Sequence, residues 1–131
     1  MKYLKPVIYI VDDDESVRRA MERLIRSTGM EGQAFPSAQE FLDFEPRKQN
    51  ACIVVDIKLQ GMSGLELHDE LRAKGSDLPV IFITGFDSPE TRDQAKKAGA
   101  AGYFRKPIDD QALLDSIQWA LTHDQEPITQ K

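Results

Sequence analysis

Asp12, Asp13 and Asp14 follow directly on the apolar run Val7-Ile8-Tyr9-Ile10-Val11, so a segment built for burial ends in three adjacent carboxylates. Like charges crowded at the edge of a core are costly unless a cation neutralises them, and side chains that offer only oxygen suit Mg²⁺ or Mn²⁺. Alone, such a run reads as helix capping, because Asp favours the N-cap and the first turn. Three further positions change that reading. Asp56 ends Ile53-Val54-Val55 and precedes the turn Gln60-Gly61-Met62-Ser63-Gly64. A carboxylate held at its base and exposed at its tip is well placed as a nucleophile, although a turn or cap aspartate has the same address. Thr84 closes Val80-Ile81-Phe82-Ile83 and is followed by Gly85, which leaves an open hydroxyl donor beside small backbone. A phosphoryl oxygen could approach it closely; the plainer alternative is a β-branched strand residue. Lys106 precedes Pro107, which biases it towards extended backbone, and a cis bond there would re-aim the ammonium. An isolated lysine is usually a solvated cation.

These groups matter together only if the chain brings them to one place. Apolar runs of four to six residues alternate with stretches of helical period, the pattern of βαβ units around a parallel sheet. The strands are expected at Pro6 to Val11, Gly32 to Phe35, Ala51 to Asp56, Pro79 to Thr84 and Ala101 to Arg105. The third and fourth are apolar on both faces and belong in the centre of the sheet. The first helix buries Val17, Met21, Leu24 and Ile25 and stops at Gly29, and Ser63-Gly64-Leu65-Glu66 is a capping box that opens the third. The last helix puts Leu113, Ile117, Ala120 and Leu121 on one face, with Asp109 or Asp110 as cap and Trp119 pointing away. Between Ser88 and Ala98 a helix has a good start in Ser88-Pro89 but almost no apolar stripe beyond Ala95 and Ala98, so it should be loosely held. Right-handed crossovers carry the C-terminal ends of all parallel strands to one edge, where ligands bind. Asp12, Asp13, Asp56, Thr84 and Lys106 all stand at such ends.

The chain has 131 residues, 40% hydrophobic, which fits one domain around one core. Its net charge of −5 argues against a nucleic-acid surface in this chain. Cys52, inside Ala51-Cys52-Ile53-Val54-Val55, reads as a small core residue in a reducing compartment. The first apolar stretch is too short for a signal sequence and no span is long enough for a membrane, so a cytoplasmic location is expected. His68 and His123 lack a partner at ligand spacing and are expected on helix surfaces.

With Val11-Asp12-Asp13, Asp56 followed by Met62-Ser63-Gly64, Thr84-Gly85, and Tyr103 ahead of Lys106-Pro107, the sequence resembles the receiver domain of two-component response regulators from about Lys5 to His123. The resemblance implies an α/β fold, a doubly wound five-stranded parallel sheet of order 2-1-3-4-5 with helices on both faces, flavodoxin-like in architecture. It implies a phosphoacceptor regulatory domain rather than an enzyme, in which Asp56 accepts a phosphoryl group from a sensor histidine kinase. Asp12, Asp13, Asp56 and the backbone carbonyl of Lys58 would hold Mg²⁺ (or Mn²⁺), and Thr84 and Lys106 would bind the phosphoryl oxygens. Asp14 is expected to face solvent. Thr84 and Tyr103 would form a switch whose signal reaches the face made by the fourth helix, the fifth strand and the last helix. On that face Tyr103, Ala112 and Trp119 are the expected partner surface, with homodimerisation on phosphorylation.

Wording such as Val-Asp-Asp-Asp-Glu-Ser-Val-Arg resembles the FixJ/NarL group, whose receivers usually precede a DNA-binding domain. The expected division is a receiver over 1–123 and a flexible tail or linker start over 124–131, with DNA reached only through an output domain absent from this sequence. A stand-alone receiver acting by protein contact is the alternative. Gln60 departs from the family, which commonly has proline there, so the turn is less constrained. Lys58 and Phe86 occupy positions that influence water access to the phosphoryl group in the family. Two other classes share parts of the pattern. A haloacid-dehalogenase-type phosphatase also uses Asp, Thr, Lys and Mg²⁺, but its acidic metal pair comes late in the chain, where only Asp109 and Asp110 stand on a helix cap. A flavodoxin-like binder needs hydroxyls and free amides after the first strand, not three acids.

Overall fold

The computed structural model describes residues 5–123; the expected tail or linker at 124–131 lies outside them. Five strands, β1 (Val7–Val11), β2 (Glu31–Phe35), β3 (Ala51–Asp56), β4 (Val80–Thr84) and β5 (Gly102–Arg105), alternate with five helices, α1 (Glu15–Ser27), α2 (Ala38–Asp43), α3 (Gly64–Ala73), α4 (Pro89–Lys97) and α5 (Asp110–His123). The sheet is parallel throughout, in the order β2-β1-β3-β4-β5. Four strands start one residue away from the sequence expectation, but every C-terminal end falls where it was placed, and those ends position the site.

Alternation along each strand divides the core into two layers. Val7, Tyr9, Val11, Ile53, Val55, Val80 and Phe82 pack against Phe41 of α2, Leu67 and Leu71 of α3 and Ala95 of α4. Ile8, Ile10, Cys52, Val54, Ile81 and Ile83 meet Met21 and Ile25 of α1 and Leu113 and Ile117 of α5. A sheet covered on both faces needs strands without polar sides, and β1, β3 and β4 are buried at every residue.

Local chemistry starts and stops the helices. Asp14 caps α1 by accepting from the Ser16 amide, and the chain leaves that helix through Gly29 at φ +89°. Ser63 and Glu66 form the expected reciprocal capping box at α3. Asp109 accepts from the Ala112 amide at 2.9 Å, so it is the cap of α5. Helix α4 starts at Ser88 and Pro89 and buries only Ala95, in line with a weakly anchored element.

Among the helices, the assignment of His68 to the surface is overturned. His68 is a core residue of α3, only 3% exposed, with its ring 5.8 Å from that of Phe82 and neither nitrogen hydrogen-bonded. The sequence hid this because the apolar stripe of α3, Gly64, Leu67 and Leu71, is complete without it.

Candidate functional site

The parallel order β2-β1-β3-β4-β5 leaves the loops after β1, β3, β4 and β5 side by side, and their polar groups meet at the carboxyl edge of the sheet. Asp12, fully buried, is fixed from two sides: Oδ1 accepts from the Asp14 amide at 2.9 Å and Oδ2 from Lys106 Nζ at 3.0 Å. The same ammonium donates to Asp56 Oδ2 at 2.9 Å, while Asp56 Oδ1 accepts from the Lys58 amide at 3.0 Å. Asp56 is thus more enclosed than expected, at 6% exposure, with both oxygens engaged. Asp13 is exposed, and ligand atoms of Asp12, Asp13 and Asp56 lie within 4.8 Å of one another. Asp14 faces solvent as expected, occupied with its cap.

The turn behind Asp56 requires glycine. A Cβ on Gly64 would stand 2.4 Å from the Asp56 carbonyl oxygen and 2.9 Å from Ile57 Cα, and the Gly64 amide donates to the Ile57 carbonyl at 2.8 Å. Close approach of α3 to the end of β3 therefore fixes the backbone that carries Asp56.

The electrostatics follow from this packing. Burial raises the Asp12 carboxyl above its ordinary range, and the nearby Asp56 charge adds to the effect, against the pull of the Asp14 amide and Lys106. For Lys106 burial acts downward, but hydrogen bonds to Asp56 and Asp12 outweigh it and hold the ammonium above the usual lysine value. One lysine among three acids leaves a negative excess, and an oxygen-only donor set under such repulsion fits a hard divalent cation.

Thr84 differs from expectation. It is 1% exposed, and its Oγ1 accepts from the Phe86 amide at 3.0 Å, so the hydroxyl is enclosed by its own turn rather than open. The Lys106 amide donates to the Thr84 carbonyl at 2.7 Å, which ties the loops after β4 and β5, and the Lys106-Pro107 bond is cis. Phe86 is 69% exposed, with Lys58 Nζ 4.6 Å from its ring centroid, so the residues after β3 and β4 meet at the mouth of the site.

Tyr103 is half-buried, and its hydroxyl donates to Asp87 Oδ1 at 2.8 Å. Trp119 is 56% exposed and stacks on His123 at 4.1 Å between centroids. Ala112, half-buried, Ser116 and Trp119 share one stripe of α5. Ser116 would stand 2.6 Å from a Cβ on Gly102, so the stripe packs beside the residue that precedes Tyr103.

Two groups escaped the sequence reading. Arg18 donates to the Asp12 carbonyl at 2.8 Å, and Asp87 joins Tyr103 to Arg92. Each stands among many charged residues on helix surfaces and loops, and nothing in its spacing singles it out.

Residues 8–118 match the family model of the response regulator receiver domain. The chain belongs to that family. It is 38% identical over 122 residues to nodulation protein W of Bradyrhizobium diazoefficiens, covering 93% of this chain and 54% of that protein. It is 39% identical over 115 residues to the response regulator protein TodT of Pseudomonas putida, covering 88% of this chain and 51% of the relative. The chain therefore spans about half the length of the curated relatives it matches. Among solved structures, the crystal structure of FixJ-N superposes with a TM-score of 0.83 at 31% identity, covering 97% of this chain and 99% of that one. The chain is thus a response regulator receiver domain of two-component signalling, a regulatory module rather than a member of an enzyme family. This sets aside the phosphatase and flavodoxin-like alternatives. Among the described residues no helix is long and apolar enough to cross a membrane.

Proposed function

We infer that this receiver is a phosphorylation-controlled switch in which Asp56 takes a phosphoryl group from a sensor histidine kinase. The observation that carries the reading is the single Lys106 ammonium bridging Asp12 and Asp56, at 3.0 and 2.9 Å, beside exposed Asp13. In the transfer an Asp56 carboxylate oxygen bonds to phosphorus as the nitrogen–phosphorus bond of the donor breaks, and the leaving imidazole keeps the electron pair. Asp12, Asp13, Asp56 and the Lys58 carbonyl would hold Mg²⁺ or Mn²⁺. When bound, that ion supplies charge neutralisation for the phosphoryl oxygens. Lys106, already anchored, shifts its donors from the carboxylates to a phosphoryl oxygen without having to be recruited from solvent.

The acyl phosphate brings nearly two negative charges and new acceptors, and these draw the Thr84 hydroxyl from its bond with the Phe86 amide. The loop after β4 then moves, Tyr103 turns into the vacated space, and the surface around α4, β5 and α5 changes. Because α4 buries only Ala95, a gap of a few kcal/mol separates its arrangements; about 5.5 kcal/mol of differential binding carries an equilibrium from 1:99 to 99:1. The reader of that surface contacts Tyr103, Ala112 and Trp119, as a second receiver, a stand-alone protein partner or an output domain that regulates transcription.

Incubation with acetyl phosphate and Mg²⁺, followed by intact mass measurement, tests this reading. Wild type gains one phosphoryl group; Asp56→Asn and chelator-treated protein gain none. Equal labelling of Asp56→Asn would refute it.

A further inference from the structure

Thr84 and Tyr103 are joined through a very short run of backbone. Thr84 Oγ1 accepts from the Phe86 amide at 3.0 Å, and the next residue, Asp87, accepts the Tyr103 hydroxyl at 2.8 Å. The other Asp87 oxygen, Oδ2, pairs with Arg92 in the first turns of α4, and the Arg92 guanidinium lies 5.8 Å from the centroid of the Tyr103 ring. Ser88 closes the run as the cap of α4, accepting from the Thr91 amide at 3.1 Å. One carboxylate thereby fastens a ring on β5, a cation on α4 and the loop between them. The Tyr103 hydrogen bond, with Arg92 behind it, holds the Asp87 carboxyl below its ordinary value; burial, with Asp87 behind it, holds the Tyr103 phenol above its own.

We propose that Asp87, braced by Arg92, is a positioning residue that pins Tyr103 in its present orientation and so opposes the phosphorylated arrangement. The proposal rests on the reading of Thr84 and Tyr103 given above. Drawing the Thr84 hydroxyl towards a phosphoryl group removes the acceptor of the Phe86 amide, and the segment that shifts carries Asp87. The Tyr103 ring reaches the space vacated by Thr84 only after its hydroxyl has left that carboxylate. Since coupling free energies are reciprocal, whatever holds the ring at Asp87 weakens binding of a phosphoryl mimic at Asp56 by the same factor.

The test is the dissociation constant of beryllofluoride in the presence of Mg²⁺, measured calorimetrically on the whole chain. Tyr103→Phe, which removes one oxygen and no charge, is expected to tighten binding about threefold to tenfold, the range for a charge-assisted hydrogen bond in a partly exposed setting. Asp87→Ala and Arg92→Met are expected to tighten it by similar factors, Arg92→Lys to stay near wild type, and Asp87→Ala with Tyr103→Phe to add little to either alone. Through-space electrostatics would act otherwise: loss of the acid would help an anion bind and loss of the cation would hinder it. Weaker binding in Arg92→Met with no change in Tyr103→Phe overturns the pin. Asp56-dependent binding that none of these variants alters also overturns it alone. Binding in wild type that Asp56→Asn retains, or its absence from both, overturns the underlying reading and the pin with it.

Discussion

Replacing His68 by leucine is expected to make the protein more stable and less sensitive to acid. His68 is only 3% exposed, and both of its ring nitrogens are unpaired beside the Phe82 ring. A buried polar group left without a partner costs about 1–3 kcal/mol, and reshaping a core site without changing its volume much costs less than about 1.5 kcal/mol. With a central gain of about 2 kcal/mol against that loss, the balance favours His68→Leu by about 0.5–2 kcal/mol at pH 7.5. Acidity adds a second signature. Burial, and secondarily the Arg72 charge, pushes the folded-state pKa of His68 below the free value, with Asp69 acting in the opposite sense. For a base whose folded pKa is depressed, the unfolded chain binds the proton first. The wild type therefore keeps this contribution above about pH 6.5 and loses it as the pH falls from there to the folded pKa, with a slope of at most about 1.4 kcal/mol per pH unit for one proton. Urea unfolding followed by far-ultraviolet circular dichroism at pH 7.5, 6.5 and 5.5 gives both quantities. The variant should gain most at the lowest pH. A variant less stable than wild type at pH 7.5, or one whose advantage is unchanged at pH 5.5, would refute the reasoning.

Other positions make equally specific claims. Gly64→Ala forces a methyl group against the Asp56 carbonyl and Ile57 Cα, both backbone, so it should destabilise by about 2 kcal/mol or more in the same unfolding assay and slow phosphorylation of Asp56; wild-type behaviour in both would show that the turn has room. Phe86→Ala removes the ring beside Lys58, and if the pair limits water access the half-life of the phosphoprotein is expected to fall; an unchanged half-life removes the pair from that role. Tyr103→Ala should phosphorylate at least as fast as wild type yet show no phosphorylation-dependent change in self-association by sedimentation velocity. Equal shifts in both proteins would disconnect Tyr103 from the output surface.

The strand ends were legible because long apolar runs stop abruptly at polar residues, and the same stops, Asp12, Asp56 and Thr84, are residues of the candidate site. Periodicity placed α1 and α5, while capping chemistry marked the starts of α3 at Ser63 and of α4 at Ser88; the short α2 was not placed. What the sequence did not carry was orientation. The Thr84 hydroxyl turns back to the Phe86 amide, and Tyr103 finds Asp87, because tight turns let a side chain bond two residues ahead or across to a neighbouring strand. His68 escaped for a different reason: a polar residue on the flank of an apolar stripe is buried or exposed according to what the next element presses against it. Arg18 was equally silent, since its partner is a backbone carbonyl that any residue could supply.

The claim on which the account stands is that the Asp56 carboxylate itself bonds to phosphorus. An acyl phosphate, unlike a free carboxylate, is reduced by borohydride to an alcohol, which marks its position permanently. Protein phosphorylated with Mg²⁺ and acetyl phosphate, reduced and then sequenced by peptide fragmentation, should carry homoserine at position 56 and unmodified aspartate at 12 and 13. Reduction at either of those positions, or labelled protein with position 56 intact, would contradict it.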